Sequence, residues 1–199
     1  VDLRAMDRKT LAARRAVLPQ HAVLDFPFVV FEVIEMGRIP HQTGRLVDRQ
    51  IVNEVIDRLQ LSTLSGRIYT TLSGGERQRV QIARVLVQIW DRLDGCYVLF
   101  DEPTAPLDLA HQIGFLGLMQ QLGRRGAAIV MVLHDINLAS RYADAIALLH
   151  EGKLLSHGAP AEVITVAHIR QAFGVEAEIR APGSGSRPLI DGIMPVSGD

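Results

Sequence analysis

Apolar residues recur at helical spacing after Glu76: Val80, Ala83, Val87 and Trp90 share one side of a 3.6-residue period, which predicts an amphipathic helix beginning at Glu76. A polar break over 91–95 separates it from Cys96-Tyr97-Val98-Leu99-Phe100. That run is too short for a buried helix and is bounded by turn residues, so it predicts a buried strand. Ile113, Leu116, Met119 and Leu122 predict a second helix over 109–122, with Gly123, Arg124 and Arg125 as its stop signal. Residues 127–133 read as another buried strand. A strand, a helix of more than ten residues and a second strand make a crossover unit, and such units build parallel sheets covered by helices; the fold class is α/β.

Beyond this unit, 145–149 and 153–157 read as two strands joined by a tight turn at Glu151-Gly152, an antiparallel edge to the same sheet. Short helical patterns follow over 160–164 and 167–173. Upstream, Val52, Val55, Ile56 and Leu59 make 51–61 amphipathic, and 29–36 reads as another short helix, so a helical lobe over about 25–90 lies between sheet elements. Ala181-Pro182-Gly183-Ser184-Gly185-Ser186 has the composition of a linker, and the residues after it show no periodicity. A domain over 1–180 followed by a flexible tail over 181–199 is expected.

At 199 residues and 48% apolar content the chain can bury a sizeable core. Its formal net charge of −1, with no block of Lys or Arg, lacks the electrostatic footprint of a nucleic-acid binder, and no nucleic-acid partner is expected. No run approaches the roughly 18 apolar residues of a membrane span, so a membrane role is expected to come through a partner. Val1-Asp2-Leu3-Arg4 has no apolar secretion core. The single cysteine, Cys96, sits within an apolar run, which predicts a buried small hydrophobe and no disulfide framework, as suits the cytosol.

Three places carry candidate chemistry. Leu72-Ser73-Gly74-Gly75-Glu76 opens a helix, where exposed backbone amides, a hydroxyl and the positive end of the helix dipole can receive a phosphate; a plain serine cap with a flexible glycine pair is the alternative. Asp101-Glu102 lies at the C-terminal end of a strand, the edge at which open α/β sheets bind ligands. There an Asp can bind Mg²⁺ and an adjacent Glu can orient or deprotonate water, unless the pair is merely solvated. His134, leaving the next strand, can donate to a γ-phosphate oxygen or serve a structural role at a helix entry.

Taken together and in order, these residues resemble the ATP-binding subunits of ABC transporters. Leu72-Ser73-Gly74-Gly75-Glu76 is similar to the family signature, Tyr97-Val98-Leu99-Phe100-Asp101-Glu102-Pro103-Thr104 to the Walker B strand with its catalytic acid, and Asp108 in Ala105-Pro106-Leu107-Asp108 to the D-loop. His134 is similar to the switch histidine and Gln20 in Val17-Leu18-Pro19-Gln20 to the Q-loop. The resemblance implies a P-loop NTPase-like, mostly parallel sheet with an inserted helical subdomain. It also implies a homodimer holding two ATP molecules between subunits, in which Ser73, Gly74 and Gly75 of one subunit complete the site of the other. Glu102 is then the general base, Asp101 and Gln20 help hold Mg²⁺, His134 senses the γ-phosphate and Asp108 links the two sites. A transmembrane permease dimer, an indirectly coupled periplasmic substrate-binding protein and a peripheral position on the cytoplasmic face of the inner membrane follow from the same resemblance. More narrowly, Val17-Leu18-Pro19-Gln20-His21, Phe26-Pro27-Phe28, Gly37-Arg38-Ile39-Pro40-His41, Gln88-Ile89-Trp90 and His134-Asp135-Ile136-Asn137-Leu138-Ala139 resemble the iron-siderophore, cobalamin and hemin import group, hemin importers most of all.

No Gly-x-x-x-x-Gly-Lys-Ser/Thr loop occurs in these residues, although the family uses one to cradle the phosphates. The expectation is a chain lacking an N-terminal strand, phosphate loop and helix, on the order of 30 residues or more, with a misplaced start favoured by the initial Val. Exposed apolar surface on the sheet should accompany this. Val29 stands where relatives often carry a hydroxyl cap, and Phe31 falls at an exposed helix position. Rival readings are a DNA-repair or chromosome-organising ATPase, disfavoured by the absence of heptads or a cysteine cluster, and a paired-cassette translation factor, disfavoured by a single signature. A non-catalytic remnant that binds a permease or partner is the remaining alternative. The 199-residue polypeptide by itself is expected to bind ATP weakly and to show no appreciable ATPase activity; ordinary micromolar binding in a calorimetric titration would overturn this.

Overall fold

Three apolar runs become neighbouring parallel strands in the computed structural model, which describes residues 6–20, 24–180 and 187–195. They are β1 (Arg15–Leu18), β2 (Tyr97–Asp101) and β3 (Ala128–Val132), in the order β1-β2-β3. Leu18 pairs with Phe100, and Phe100 with Met131, so the C-terminal ends of the strands lie at one edge. The chain divides into two compact units, Val1–Val132 and Leu133–Asp199.

In the first unit, α1 (Arg8–Arg14) leads into β1. An insertion made of α2 (Val30–Glu35), α3 (Arg45–Arg58) and α4 (Gly74–Val87) then precedes β2, and α5 (Leu109–Arg124) carries the chain across to β3. Both the crossover and the inserted helical lobe agree with expectation. Most boundaries differ by three residues or fewer, but α3 starts at Arg45, six residues before the expected 51, and ends at Arg58. α4 starts at Gly74 because Ser73, with extended backbone, is its cap.

The sheet shows two unlike faces. Ala16, Leu18, Val98 and Phe100 are buried, and Phe100 meets Phe115 of α5 edge-on at 5.3 Å between ring centroids. On the opposite face Val17, Tyr97, Leu99, Val130 and Val132 are exposed. Parallel sheets are ordinarily covered on both faces, and here one face carries exposed apolar side chains. Cys96, just before β2, is buried as predicted, and burial pushes its thiol pKa up, away from the reactive thiolate.

The helical lobe packs Val30, Val33 and Ile34 of α2 and Ile51, Val52, Val55 and Ile56 of α3 around α4. Six α4 residues bury apolar side chains, more than one stripe, because the helix is covered on several sides. Val29 provides no side-chain cap to α2; instead the Glu32 carboxylate accepts from the Val29 N–H at 3.0 Å. Phe31 is half-buried, not exposed, because the Arg49 guanidinium lies over its ring at 5.8 Å.

Between α2 and α3 the short turn Met36–Arg38 brings Arg38 inward until only 3% of the residue remains exposed. Its guanidinium donates to Asp48 at 2.8 Å, to both carboxylate oxygens of Asp91 at 2.7 and 3.2 Å, to Thr43 at 3.0 Å and to the Val87 carbonyl at 2.7 Å. Burial alone would lower the pKa of Arg38, but its two carboxylate partners raise it above the ordinary value. Burial likewise opposes the charges of Asp48 and Asp91, and hydrogen bonds, from Thr43 and Arg38 to Asp48 and from Arg38 to Asp91, still draw both pKa values below the usual carboxylate range. Next to Arg38, a Cβ on Gly37 would lie 2.0 Å from the Arg84 carbonyl oxygen, so only glycine lets this turn approach α4 so closely.

The second unit contains α6 (Ile136–Tyr142), β4 (Ile146–His150), β5 (Lys153–Gly158), α7 (Pro160–Val163), α8 (Val166–Phe173), β6 (Val175–Arg180) and β7 (Leu189–Pro195). Glu151 and Gly152, at φ 47° and 73°, form the tight turn between β4 and β5. That hairpin is its own two-stranded sheet and not an edge of the parallel one; a register shift between Leu148 and Leu149 breaks its regular ladder. A second correction concerns the tail. Residues 189–195 form β7, antiparallel to β6, and Ile190 joins Ile164, Ile169 and Ala177 in a buried cluster. The segment lacked a clean period because Ile190 is its one buried residue, residues 193–195 are all exposed, and the register shifts at Glu178/Ile179. The predicted linker over 181–186 lies outside the described residues.

Arg38→Ala should cost about 3 kcal/mol, near the low end for breaking a buried ion pair, because the Asp48 and Asp91 side chains remain 18% and 30% exposed. Since both carboxylates have depressed folded pKa values, the stability they confer is complete above their unfolded value of about 3.9 and is lost as pH falls through the folded ones. Urea titrations from pH 7 to pH 3 should therefore show the wild type losing more stability than Arg38→Ala.

Candidate functional site

Ser73 begins the arrangement. With φ −65° and ψ 164° it caps α4, and its side chain and Glu76 form a capping box: the Ser73 N–H and hydroxyl both donate to the Glu76 carboxylate at 2.8 Å, and the Glu76 N–H points back to the hydroxyl at 3.4 Å. Those hydrogen bonds, led by the backbone one, lower the Glu76 pKa. Gly74 and Gly75 open a 14-residue helix, so their amides lack intrahelical acceptors, as at any helix start. The plain-cap and phosphate-site alternatives therefore coexist: the serine is a cap, and the amides after it stay available to an anion.

The acid pair stands where the sequence placed it. Asp101 ends β2 and is exposed, and Glu102 follows in a left-handed conformation at φ 49°. For a residue with a Cβ that geometry costs roughly 1–2 kcal/mol, and it turns the chain sharply at the carboxyl edge of the sheet. Gln20 lies two residues beyond the end of β1, which pairs in parallel with β2, so Gln20, Asp101 and Glu102 all leave the sheet at one edge. The donor set at this edge, a carboxylate and an amide oxygen, is the kind magnesium takes.

Asp108 caps α5, accepting from the His111 N–H at 2.9 Å, and its carboxylate also meets the His111 ring at 2.8 Å. The His111 backbone N–H, followed by its ring, holds the Asp108 carboxyl below the usual carboxylate range. His134 belongs to the second unit. It is exposed and directly precedes Asp135, the cap of α6, whose carboxylate accepts from the Leu138 N–H at 2.9 Å.

Two glutamines escaped the sequence reading. Gln78 of α4 donates to the Pro103 carbonyl at 3.0 Å, and Gln112 of α5 donates to the Thr104 and Leu107 carbonyls at 3.0 and 2.9 Å. They pin the loop between the acid pair and Asp108 from two sides. Each sits at an ordinary helix position, where only the fold reveals the carbonyls it reaches. Gly75 completes the contact. A Cβ there would lie 2.9 Å from the Pro106 carbonyl oxygen, whereas a Cβ on Gly74 would meet nothing within 4 Å.

Comparison with known proteins follows the same lines. The family model for the ABC transporter matches residues 1–105. A protein of Pseudomonas fluorescens named hemin import ATP-binding protein HmuV is 46% identical over 179 residues, covering 90% of this chain and 70% of that protein. A protein of the same name from Gloeobacter violaceus is 50% identical over 184 residues, covering 90% of this chain and 66% of its own length. The chain thus spans about two thirds of the length of the curated relatives it matches. Among solved structures, an inward-facing metal-chelate type ABC transporter superposes with a TM-score of 0.74 at 26% identity, covering 92% of this chain and 72% of that one. A dimeric bacterial ABC transporter cassette, at 24% identity and a TM-score of 0.67, shares the fold.

The two signature glycines should separate experimentally. Gly75→Ala must push the loop at Pro106 aside and should destabilise the chain by about 1–3 kcal/mol, while Gly74→Ala should leave thermal unfolding within about 0.5 kcal/mol of wild type. Equal effects from the two would contradict the close approach at Gly75.

Proposed function

We propose that this chain, which belongs to the ABC transporter family, supplies catalytic and signature parts of the ATPase that drives import of hemin or a related iron chelate through a membrane permease. The observation that carries the reading is Asp101-Glu102 at the carboxyl edge of a parallel strand, with Glu102 held in a left-handed turn. A carboxylate fixed there is suited to act as general base toward a water attacking a terminal phosphate. Asp101 and Gln20 would hold Mg²⁺, which when bound neutralises charge on the phosphate oxygens.

Ser73, Gly74 and Gly75 would present hydroxyl and amides to the γ-phosphate held by a twin subunit, since a helix start offers donors and positive potential without needing a charged side chain. Asp108, set beside the same pinned loop as Glu102, would carry the state of one site to the other in the homodimer. His134 would donate to the γ-phosphate. Closure on ATP and release after hydrolysis would then move the permease dimer between two states, with a periplasmic substrate-binding protein acting indirectly. Among the described residues no helix is long and apolar enough to cross a membrane; a peripheral position on the cytoplasmic face of the inner membrane is proposed from the family resemblance. The choice of hemin rests on the names of its relatives.

In the full-length protein assembled with its permease in proteoliposomes, Glu102→Gln should retain ATP binding but lower hydrolysis by about 10²–10⁴-fold, and ATP-driven hemin uptake should fall with it. Normal turnover by Glu102→Gln would remove the general base from the mechanism.

A further inference from the structure

A cleft of about 460 Å³, whose lining includes neither Asp101 nor Glu102, opens between the end of α3, α4 and the face of α5. Its floor is apolar, formed in part by Ile82, Phe115 and Leu118, which are all buried. Its rim is cationic. Arg58 donates to the side-chain oxygen of Gln121, and Arg79 reaches only the carbonyls of Gln60 at 3.3 Å and Leu59 at 3.5 Å. Among the described residues neither guanidinium forms an ion pair. Glu76, one turn before Arg79, has its carboxylate engaged by Ser73, and Asp108 is engaged by His111.

The opposite wall carries Gly114 and Gly117, both inside a 16-residue helix. Interior glycine weakens a helix relative to alanine, and a close packing partner would justify the loss. None is there: a Cβ at either position would meet nothing within 4 Å. The two glycines therefore keep the cleft wide at a cost in helix stability, opposite two guanidinium groups that form no ion pair among the described residues. The volume lies within the range of small-molecule sites, which join an apolar lining to a few convergent polar groups.

We infer that this cleft is a binding site for a small amphiphilic anion, a carboxylate with an apolar body, its head paired with Arg79 and Arg58 and its body lying over Gly114 and Gly117. Because the lining includes Arg79 and Ile82 of α4 as well as Leu107, just before the Asp108 cap, and His111 in the first turn of α5, an occupant bridges the helix capped by Ser73 and the helix capped by Asp108. Binding requires no nucleotide.

The test is calorimetric titration of the 199-residue chain with octanoate, with octanol and inorganic phosphate as probes lacking the charge or the apolar body. Saturable one-site binding of octanoate is expected, with both other probes at least tenfold weaker. Arg79→Gln should weaken octanoate about tenfold, the loss of one charge-assisted pair. Gly117→Leu should abolish binding by projecting from the wall into the cleft, and Gly117→Ala, which adds only a methyl group in open space, should keep the wild-type unfolding midpoint and octanoate binding within about twofold. Absence of saturable octanoate binding, equal binding of octanol or phosphate, or octanoate binding indifferent to Gly117→Leu would each overturn the inference.

Discussion

The first unit depends on the burial of one cation. Arg38 is nearly inaccessible, and a guanidinium taken from water is tolerated only when its donors are occupied and its charge is met. Asp48 of α3, Asp91 beyond α4 and the Val87 carbonyl at the end of α4 do this together. The turn that carries Arg38 can approach them because Gly37 has no side chain to strike the Arg84 carbonyl. Next to it, His41 reaches the Gln88 carbonyl at 2.7 Å, and the Gln88 side chain donates to the Arg15 carbonyl at 3.1 Å, at the start of β1. The C-terminal end of α4 is thus tied both to the helical lobe and to the sheet.

Anchoring one end of a stiff helix positions the other. α4 runs from that anchorage to Ser73, and near its start Gln78 holds the Pro103 carbonyl directly after the acid pair. From the other side Gln112 holds Thr104 and Leu107. A loop fixed by two amide side chains and by a glycine contact can sustain Glu102 in its left-handed conformation, which an unsupported loop would relax. The strain at Glu102 and the polar staples around it are two aspects of one constraint: the carboxylate has to leave the sheet edge in a single direction.

Much of this was legible in the residues. The period over Val80, Ala83, Val87 and Trp90, the short apolar run before Asp101 and the helix carrying Ile113 and Leu116 each respond to a local rule, and each element formed within three residues of its expected bounds, α4 ending at Val87 before Trp90. Ser73, Asp101 and Asp108 were found for the same reason, since caps and strand ends have a local chemistry. What escaped was non-local. Gln78 and Gln112 matter through carbonyls 25 and up to 8 residues away, and the ion cluster of Arg38 joins positions 10 and 53 residues apart. The cleft beside α5 escaped too, because glycine in a helical pattern reads as a weak helix former and gives no hint of the space in front of it. The hairpin of β4 and β5 was read correctly as a pair, but its partner was not, since a turn motif specifies what it joins and says nothing of what lies alongside.

The tail shows the same limit from the other direction, and it bears on His134. Asn137, the second residue of α6, donates to the Ile190 carbonyl at 3.0 Å and accepts from the Ile190 N–H at 2.8 Å, so a side-chain amide supplies the pairing that a backbone neighbour would give to β7. Ser140 donates to the Pro188 carbonyl, and Arg187 donates to the Ser140 carbonyl at 2.8 Å. The helix that His134 precedes is therefore strapped along its length by the last described strand. A stretch read only as lacking periodicity is a structural support, because two amide hydrogen bonds and one buried isoleucine fix a strand that alternation alone did not announce. Whatever work His134 performs, the precision of its helix is set by residues more than 50 positions further along the chain.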